Sequence, residues 1–313
     1  GGTSGGSLEG VCLNCPDLQK VADATAFDAG AYYLNVQTEI DANSDRAVIK
    51  QLLSDTIAAN QKELTYSEVW TALTETDEDP NNPDNVILFY SGWSLPKLSN
   101  GSGSVASSNP DNWNREHSWP KSHGFSSSSF EEHNDIHHLR PTDISINSSR
   151  GNLDFDNSDN ALSEAPDNRI DGDSFEPRDA VKGDVARMMF YMDTRYEGVG
   201  DATPDLTLVD RLTTTSEDAL GKLCTLRQWH LADPVDATET ERHNTIYEYQ
   251  GNRNPFVDNP QWVDVLYPES SCSGSGGGTG GSGGSGGPGG GSGGSGGSGG
   301  AGGRTGGRGD GGW

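Results

Sequence analysis

Basic residues are scarce in this chain. Lys and Arg number 21 against 47 Asp and Glu in 313 residues, a net charge of −26. A surface of that sign counts against a nucleic-acid partner held by a broad basic face. It leaves room for one held locally, because a divalent cation brings its own positive charge. The acid is spread over residues 75–84, 154–173 and 233–241, which suits solubility or salty surroundings. Long apolar runs are also missing. No stretch approaches about 18 apolar residues, so no membrane span is expected. The chain begins with Gly and shows no apolar leader. A processed, secreted monomer is therefore the expectation, with cell-surface attachment through a removed C-terminal segment as its extension.

Cysteine is sparse too, at Cys12, Cys15, Cys224 and Cys272. An even number in an exported chain points to disulfides, with three possible pairings. Joining Cys12 or Cys15 to Cys272 would clamp both ends onto the domain. A zinc site wants two close pairs, and Cys224 is far from Cys272 in sequence. From Ser273 onward the chain is nearly pure Gly and Ser, and residues 1–7 are similar. Neither stretch has apolar surface to offset chain entropy. The expected organisation is a flexible N-terminus at 1–7, one folded domain at 8–272 and a disordered Gly/Ser-rich tail at 273–313.

Within the domain, the spacing of apolar residues predicts helices over 17–29 and 45–60, the second capped by Ser44. Val86 to Tyr90 is an apolar run of strand length. Residues 99–108 are a Ser/Gly/Asn loop, and Asp143 can open a helix. Residues 154–178 are acidic and polar, read as loop with a weak suggestion of Ca²⁺ binding. Helical periodicity returns over 179–197, where Val181, Val185, Met188, Met189 and Met192 form an apolar stripe better explained as core than as a cofactor site. Residues 220–231 and 239–250 also read as helices, and Gly251 to Pro255 breaks the chain. The class is α+β with helix dominant.

Two segments carry chemistry. The first joins a carboxylate, Glu116, to an imidazole, His117. The second has an amide oxygen, Asn147, and a guanidinium, Arg150, one helical turn on. Cutting a phosphodiester needs a water activated near neutral pH, for which His117 is suited. It also needs relief of charge on the phosphoryl and leaving oxygens. A divalent cation held by Glu116 and Asn147 provides that, while Arg150 could hold a phosphate oxygen. Taken singly, each residue has a plain alternative: a surface pair for Glu116-His117, a helix cap for Asn147.

The flanks add specificity. Asn114-Arg115-Glu116-His117-Ser118-Trp119-Pro120, then Asp135-Ile136-His137-His138-Leu139-Arg140-Pro141-Thr142-Asp143 and Asn147-Ser148-Ser149-Arg150-Gly151-Asn152, together resemble the signature of the endonuclease I family of ββα-metal nucleases, its secreted bacterial members above all. The stretches Gly183 to Met192, Gln228 to Pro234 and Tyr247 to Phe256 resemble it as well, so the likeness spans roughly 45–265. The resemblance implies a ββα-metal motif inside a mainly helical domain. It implies His117 as general base, with Glu116 and Asn147 holding one Mg²⁺, or Mn²⁺ or Ca²⁺ at the same site. It further implies DNA and RNA as substrates, cut with little sequence preference to 5′-phosphate ends. Attack by an activated water needs no 2′-hydroxyl, so one site can accept both sugars. The sequence departs from the family pattern at Phe125 to Asn134, which lacks the arginine some members use on the product phosphate. Arg115, Arg140, Arg150 or Arg187 would have to serve.

Two rival readings remain. His133, His137 and His138 could build a zinc hydrolase site, His133 and His137 being four apart. The acidic surface, with Arg-Gly-Asp at 308–310, could belong to a non-catalytic surface protein.

Overall fold

Capping side chains mark where several of the helices in this mainly helical domain begin. The structure, a computed structural model, describes residues 15–102, 106–198 and 204–272. The segments 1–7 and 273–313, and Cys12, lie outside the described residues. The helix expected over 17–29 does not form. Asp23 and Asp28 instead bond the backbone N–H groups of Thr25 and Ala31, which favours a single 3-10 turn at Ala24–Ala26 and a short helix, α1 (Ala29–Tyr32). Next come α2 (Leu34–Asp41) and α3 (Arg46–Ala58). The cap of α3 is Asp45 rather than Ser44: its carboxylate accepts from Ala47 N–H at 2.8 Å, while the Ser44 hydroxyl turns to Glu39. A carboxylate also complements the positive end of the helix dipole.

Helix α4 (Tyr66–Thr76) opens with a complete capping box between Thr65 and Glu68. Strands β1 (Glu78–Asp79), β2 (Asn82–Ile87) and β3 (Ser94–Pro96) form an antiparallel sheet. The strand expected over 86–90 is shifted, because pairing stops at Ile87. Leu88, Phe89 and Tyr90 leave the sheet and bury instead, Phe89 N–H bonding Pro141 O at 2.9 Å.

Strand β4 (Trp113–His117) is followed by the short α5 (Glu131–Asn134), then β5 (Leu139–Asp143) and α6 (Ile144–Arg150). β4 and β5 pair antiparallel, with Trp113 opposite Asp143 and His117 opposite Leu139. Asp143 opens α6 as expected, accepting from the N–H groups of Ser145 and Ile146. The acidic segment is not wholly loop. It holds β6 (Asp154–Phe155), β7 (Asn160–Ala161), β8 (Arg169–Ile170) and β9 (Ser174–Glu176) in one small sheet, because buried Phe155 and Phe175 anchor it in the core.

Helix α7 (Lys182–Arg195) is buried along almost its whole length, and the methionine stripe is core, as expected. A parallel pair, β10 (Thr207–Leu208) and β11 (Ala219–Leu220), leads to α8 (Leu223–Ala232) and α9 (Ala237–Gln250). Gly251 ends α9 at φ +81°, Asn254 caps α10 (Pro255–Asp258), and α11 (Trp262–Leu266) and a 3-10 turn at Glu269–Cys272 follow. Cys272 bonds Cys224, not a cysteine at the N-terminal end. The 3-10 turn carrying Cys272 packs on α8, which brings the two within bonding reach, and Cys15 is itself in a disulfide.

The β4–β5 hairpin lies between two apolar clusters. Trp113 and Leu139 join Trp70, Leu73 and Ile246 on one side, and Ile146 of α6 joins Tyr90, Phe155 and α7 on the other. This fixes the hairpin and its helix as a rigid frame. No helix among the described residues is long and apolar enough to cross a membrane.

Candidate active site

Side chains alternate along a strand, so Asn114 and Glu116 leave one face of β4 and Arg115 and His117 the other. On a helix, residues three apart share a face, so Asn147 and Arg150 project together from α6. The two pairs meet. Asn147 Nδ2 donates to Asn114 Oδ1 at 2.7 Å, and Arg150 Nη1 lies 3.5 Å from Glu116 Oε1. Packing α6 back across β4 thus brings Asn147 and Glu116 to one face, though they are 31 residues apart in sequence.

Glu116 is buried, and Tyr90 donates its hydroxyl to Oε1 at 2.9 Å. Loss of solvent pushes its carboxyl up to about 7, against the pull of Arg150 and the Tyr90 hydrogen bond. Arg150 is fully buried. It lies over the Phe155 ring and donates to the carbonyls of His117 and Ser118, at 3.3 and 2.7 Å, as well as facing Glu116. Its guanidinium is spent on holding the strand end and Glu116.

On the opposite face, His117 packs against His133, Tyr66, Phe125 and His138. Its Nε2 donates to the carbonyl of His133 at 2.9 Å, which leaves Nδ1 as the nitrogen with a lone pair. Burial holds its pKa well below the usual histidine range, helped by His138, His133 and Lys121 nearby. The imidazole is neutral and can accept a proton. Arg115 shares this face. Its guanidinium lies 3.3 Å from the Tyr66 ring centre and 4.1 Å from that of Trp70, and donates to Tyr66 O. Burial lowers its pKa to about 10. Among the described residues no carboxylate forms an ion pair with Arg115.

Arg140 stands opposite Glu116 in the β4–β5 ladder, but its guanidinium, like that of Arg187, turns to other carboxylates. Arg140 pairs with Asp77 at 3.1 Å, and fully buried Arg187 pairs with Glu239 at 2.6 Å, both within a buried ionic network beside α9. His133 and His138 both pack on His117, but the ring nitrogens of the histidine cluster go to different partners. His137 Nε2 meets Asn252 Oδ1, His138 Nε2 donates to Glu132 O, and His133 Nδ1 meets Asn134 Oδ1. Each of these ring nitrogens is thus taken by a separate oxygen, so the three are not presented free to one ion. Among the described residues no group of three or more His, Cys, Asp or Glu is placed to hold a metal.

The donors at Glu116 and Asn147 do suit a hard cation. Tyr90 and Arg150 both act on Oε1 of Glu116, and Asn147 uses its amide nitrogen on Asn114. Oε2 of Glu116 and Oδ1 of Asn147 make no hydrogen bond among the described residues. One carboxylate and one amide oxygen, with solvent completing the shell, is a set that Mg²⁺ accepts.

The sequence matches the Endonuclease I family over residues 46–261. The chain belongs to the endonuclease I family. Its similarity to curated members is high: 49% identity to an extracellular ribonuclease of Bacillus amyloliquefaciens, covering 80% of this chain and 83% of the relative. A second extracellular ribonuclease, from Bacillus subtilis, is 54% identical over 66% of this chain and 69% of the relative. Membership in the endonuclease I family makes this a nuclease. Tyr66 and Tyr90 stand around the site without having been singled out in the sequence, and Asn114 was read there only as the start of the motif, with no role. The box Thr65-x-x-Glu68 announces α4 and so Tyr66, but no local pattern marks Tyr90, which reaches Glu116 only through the fold.

Proposed function

We propose that this nuclease is a secreted, divalent-cation-dependent endonuclease that hydrolyses DNA and RNA to 5′-phosphate products at Glu116, His117 and Asn147. The observation that carries the reading is His117: a buried imidazole whose Nε2 is fixed on a carbonyl, leaving Nδ1 to take a proton. The relatives' names as extracellular ribonucleases support secretion and RNA as a substrate.

A Mg²⁺ ion held by Glu116 and Asn147 would neutralise charge on the phosphoryl group and on the leaving oxygen. His117 is the last residue of β4, next to Glu116, and from that strand end its Nδ1 accepts a proton from the attacking water. The water oxygen bonds phosphorus, the bond to the 3′-oxygen breaks, and that oxygen is protonated from solvent. Arg150 keeps Glu116 and the end of β4 in place. Arg115 holds a phosphate of the substrate. Arg140, Arg150 and Arg187 face carboxylates, whereas Arg115 is flanked by rings and meets no anion among the described residues. A desolvated cation with no counter-charge is costly, and a phosphodiester relieves that cost.

The test is cleavage of plasmid and of RNA with Mg²⁺, with EDTA, and by His117→Ala. Both substrates are expected to be cut with Mg²⁺ and spared by EDTA. His117→Ala should keep the parent's melting temperature and lose about 10²–10⁴-fold in rate. Parental rates in EDTA, or in His117→Ala, would overturn the proposal.

A further inference from the structure

A hydrogen bond between two side-chain amides can run either way. Between Asn114 and Asn147, Nδ2 of Asn147 donates and Oδ1 of Asn114 accepts, at 2.7 Å. In an isolated pair the reverse is as good, with Asn114 donating and Asn147 accepting. The two states differ in what Asn147 has left. In the state observed it offers an oxygen; in the other it offers an NH₂ group, which repels a cation. The choice is made beside Glu116, because Asn114 and Glu116 leave the same face of β4 and Asn147 and Arg150 the same face of α6. Glu116 is held in a comparable way, with one oxygen taken and the other open.

We propose that Asn114 is a positioning residue for the cation site. By accepting from Nδ2 of Asn147 it turns that amide so that Oδ1 faces the ion. The proposal rests on the reading of Glu116 and Asn147 as cation ligands. Asn114 itself touches neither ion nor substrate; its effect passes through the orientation of one amide. An acceptor at position 114 is therefore what matters, and a carboxylate there, which can only accept, permits only the productive state.

The experiment is a Mn²⁺ titration of the whole protein without nucleic acid, followed by the electron paramagnetic resonance signal of free Mn²⁺. Melting curves without metal confirm that each variant is folded. Glu116→Gln should lose binding. Asn114→Ala should bind about 10-fold more weakly than the parent. Asn114→Asp should bind at least as tightly as the parent. With Asn147→Asp as the background, position 147 has two equivalent oxygens and nothing to orient, so adding Asn114→Ala should change affinity by less than about twofold. If Asn114→Ala binds like the parent while Glu116→Gln does not, the positioning role is overturned and the cation site stands. An equal loss in both backgrounds overturns it as well, since Asn114 then acts on something other than the amide. If the parent and Glu116→Gln bind Mn²⁺ alike, the cation site itself is wrong, and the role of Asn114 falls with it.

Discussion

Arg115 and Arg150 carry the same charge close to the same strand end and meet opposite surroundings. Arg150 is sealed against Glu116 and two carbonyls, so removing it strands a buried carboxylate. Arg150→Ala is expected to cost about 3 kcal/mol or more, read as a lower urea midpoint, whatever its effect on rate. Arg115 forms no ion pair among the described residues and leans on Tyr66 and Trp70. Arg115→Ala should weaken substrate binding and reduce the salt dependence of log K by about one charge. A variant with parental KM and parental salt slope would remove Arg115 from the substrate. The sequence shows four arginines near the motifs and cannot rank them, because rank depends on which carboxylates fold against each.

Single residues set the spacing of whole elements here. Gly183, in the first turn of α7, donates its N–H to the Asp233 carboxylate at the end of α8, and a Cβ there would overlap the Asp233 carbonyl oxygen. Gly183→Ala must push the two helices apart. A loss of about 1–3 kcal/mol follows, measurable as a drop in melting temperature; an unchanged melting curve would mean that the packing can slide. Helices with long apolar stripes, such as α3 and α7, were legible from periodicity alone. The N-terminal region was not, because Asp23 and Asp28 compete for backbone groups that a continuous helix would need. The run at 86–90 read as a strand for its apolar content, yet those residues are apolar because two faces of the hairpin bury them.

Across the whole molecule, acid sensitivity follows from the buried histidines rather than from the −26 net charge alone. Burial pulls His137 to about 3 and His138 to about 4, below the usual 6.5, although Asp135 opposes it. The unfolded chain takes up these protons near 6.5 and the folded chain does not. The stability they confer is present above about 6.5 and is lost as pH falls toward 4, at roughly 1.4 kcal/mol per pH unit per histidine. The urea midpoint should fall between pH 7.5 and pH 5, and His138→Gln should shrink that fall. An equal fall in the variant would assign the effect to other groups. The Cys224–Cys272 disulfide closes a separation of 48 residues. Replacing both by Ser should lower stability by about 2–4 kcal/mol in a urea melt, through a less constrained unfolded chain.

The sequence by itself determined the parts and the family: the segment from Asn114 to Pro120, the amide at Asn147, the helical stripes and the α+β class are all local patterns. The tertiary structure decided which parts meet. Packing α6 across β4 pairs Asn147 with Asn114 and Arg150 with Glu116, and packing α4 against the other face gives Arg115 aromatic neighbours instead of a carboxylate. It also chose Cys224 as the partner of Cys272. The physical reason is common to all three. Periodicity fixes which side of an element a residue leaves, whereas the neighbour it finds there comes from distant chain, selected by the apolar surfaces that the fold buries.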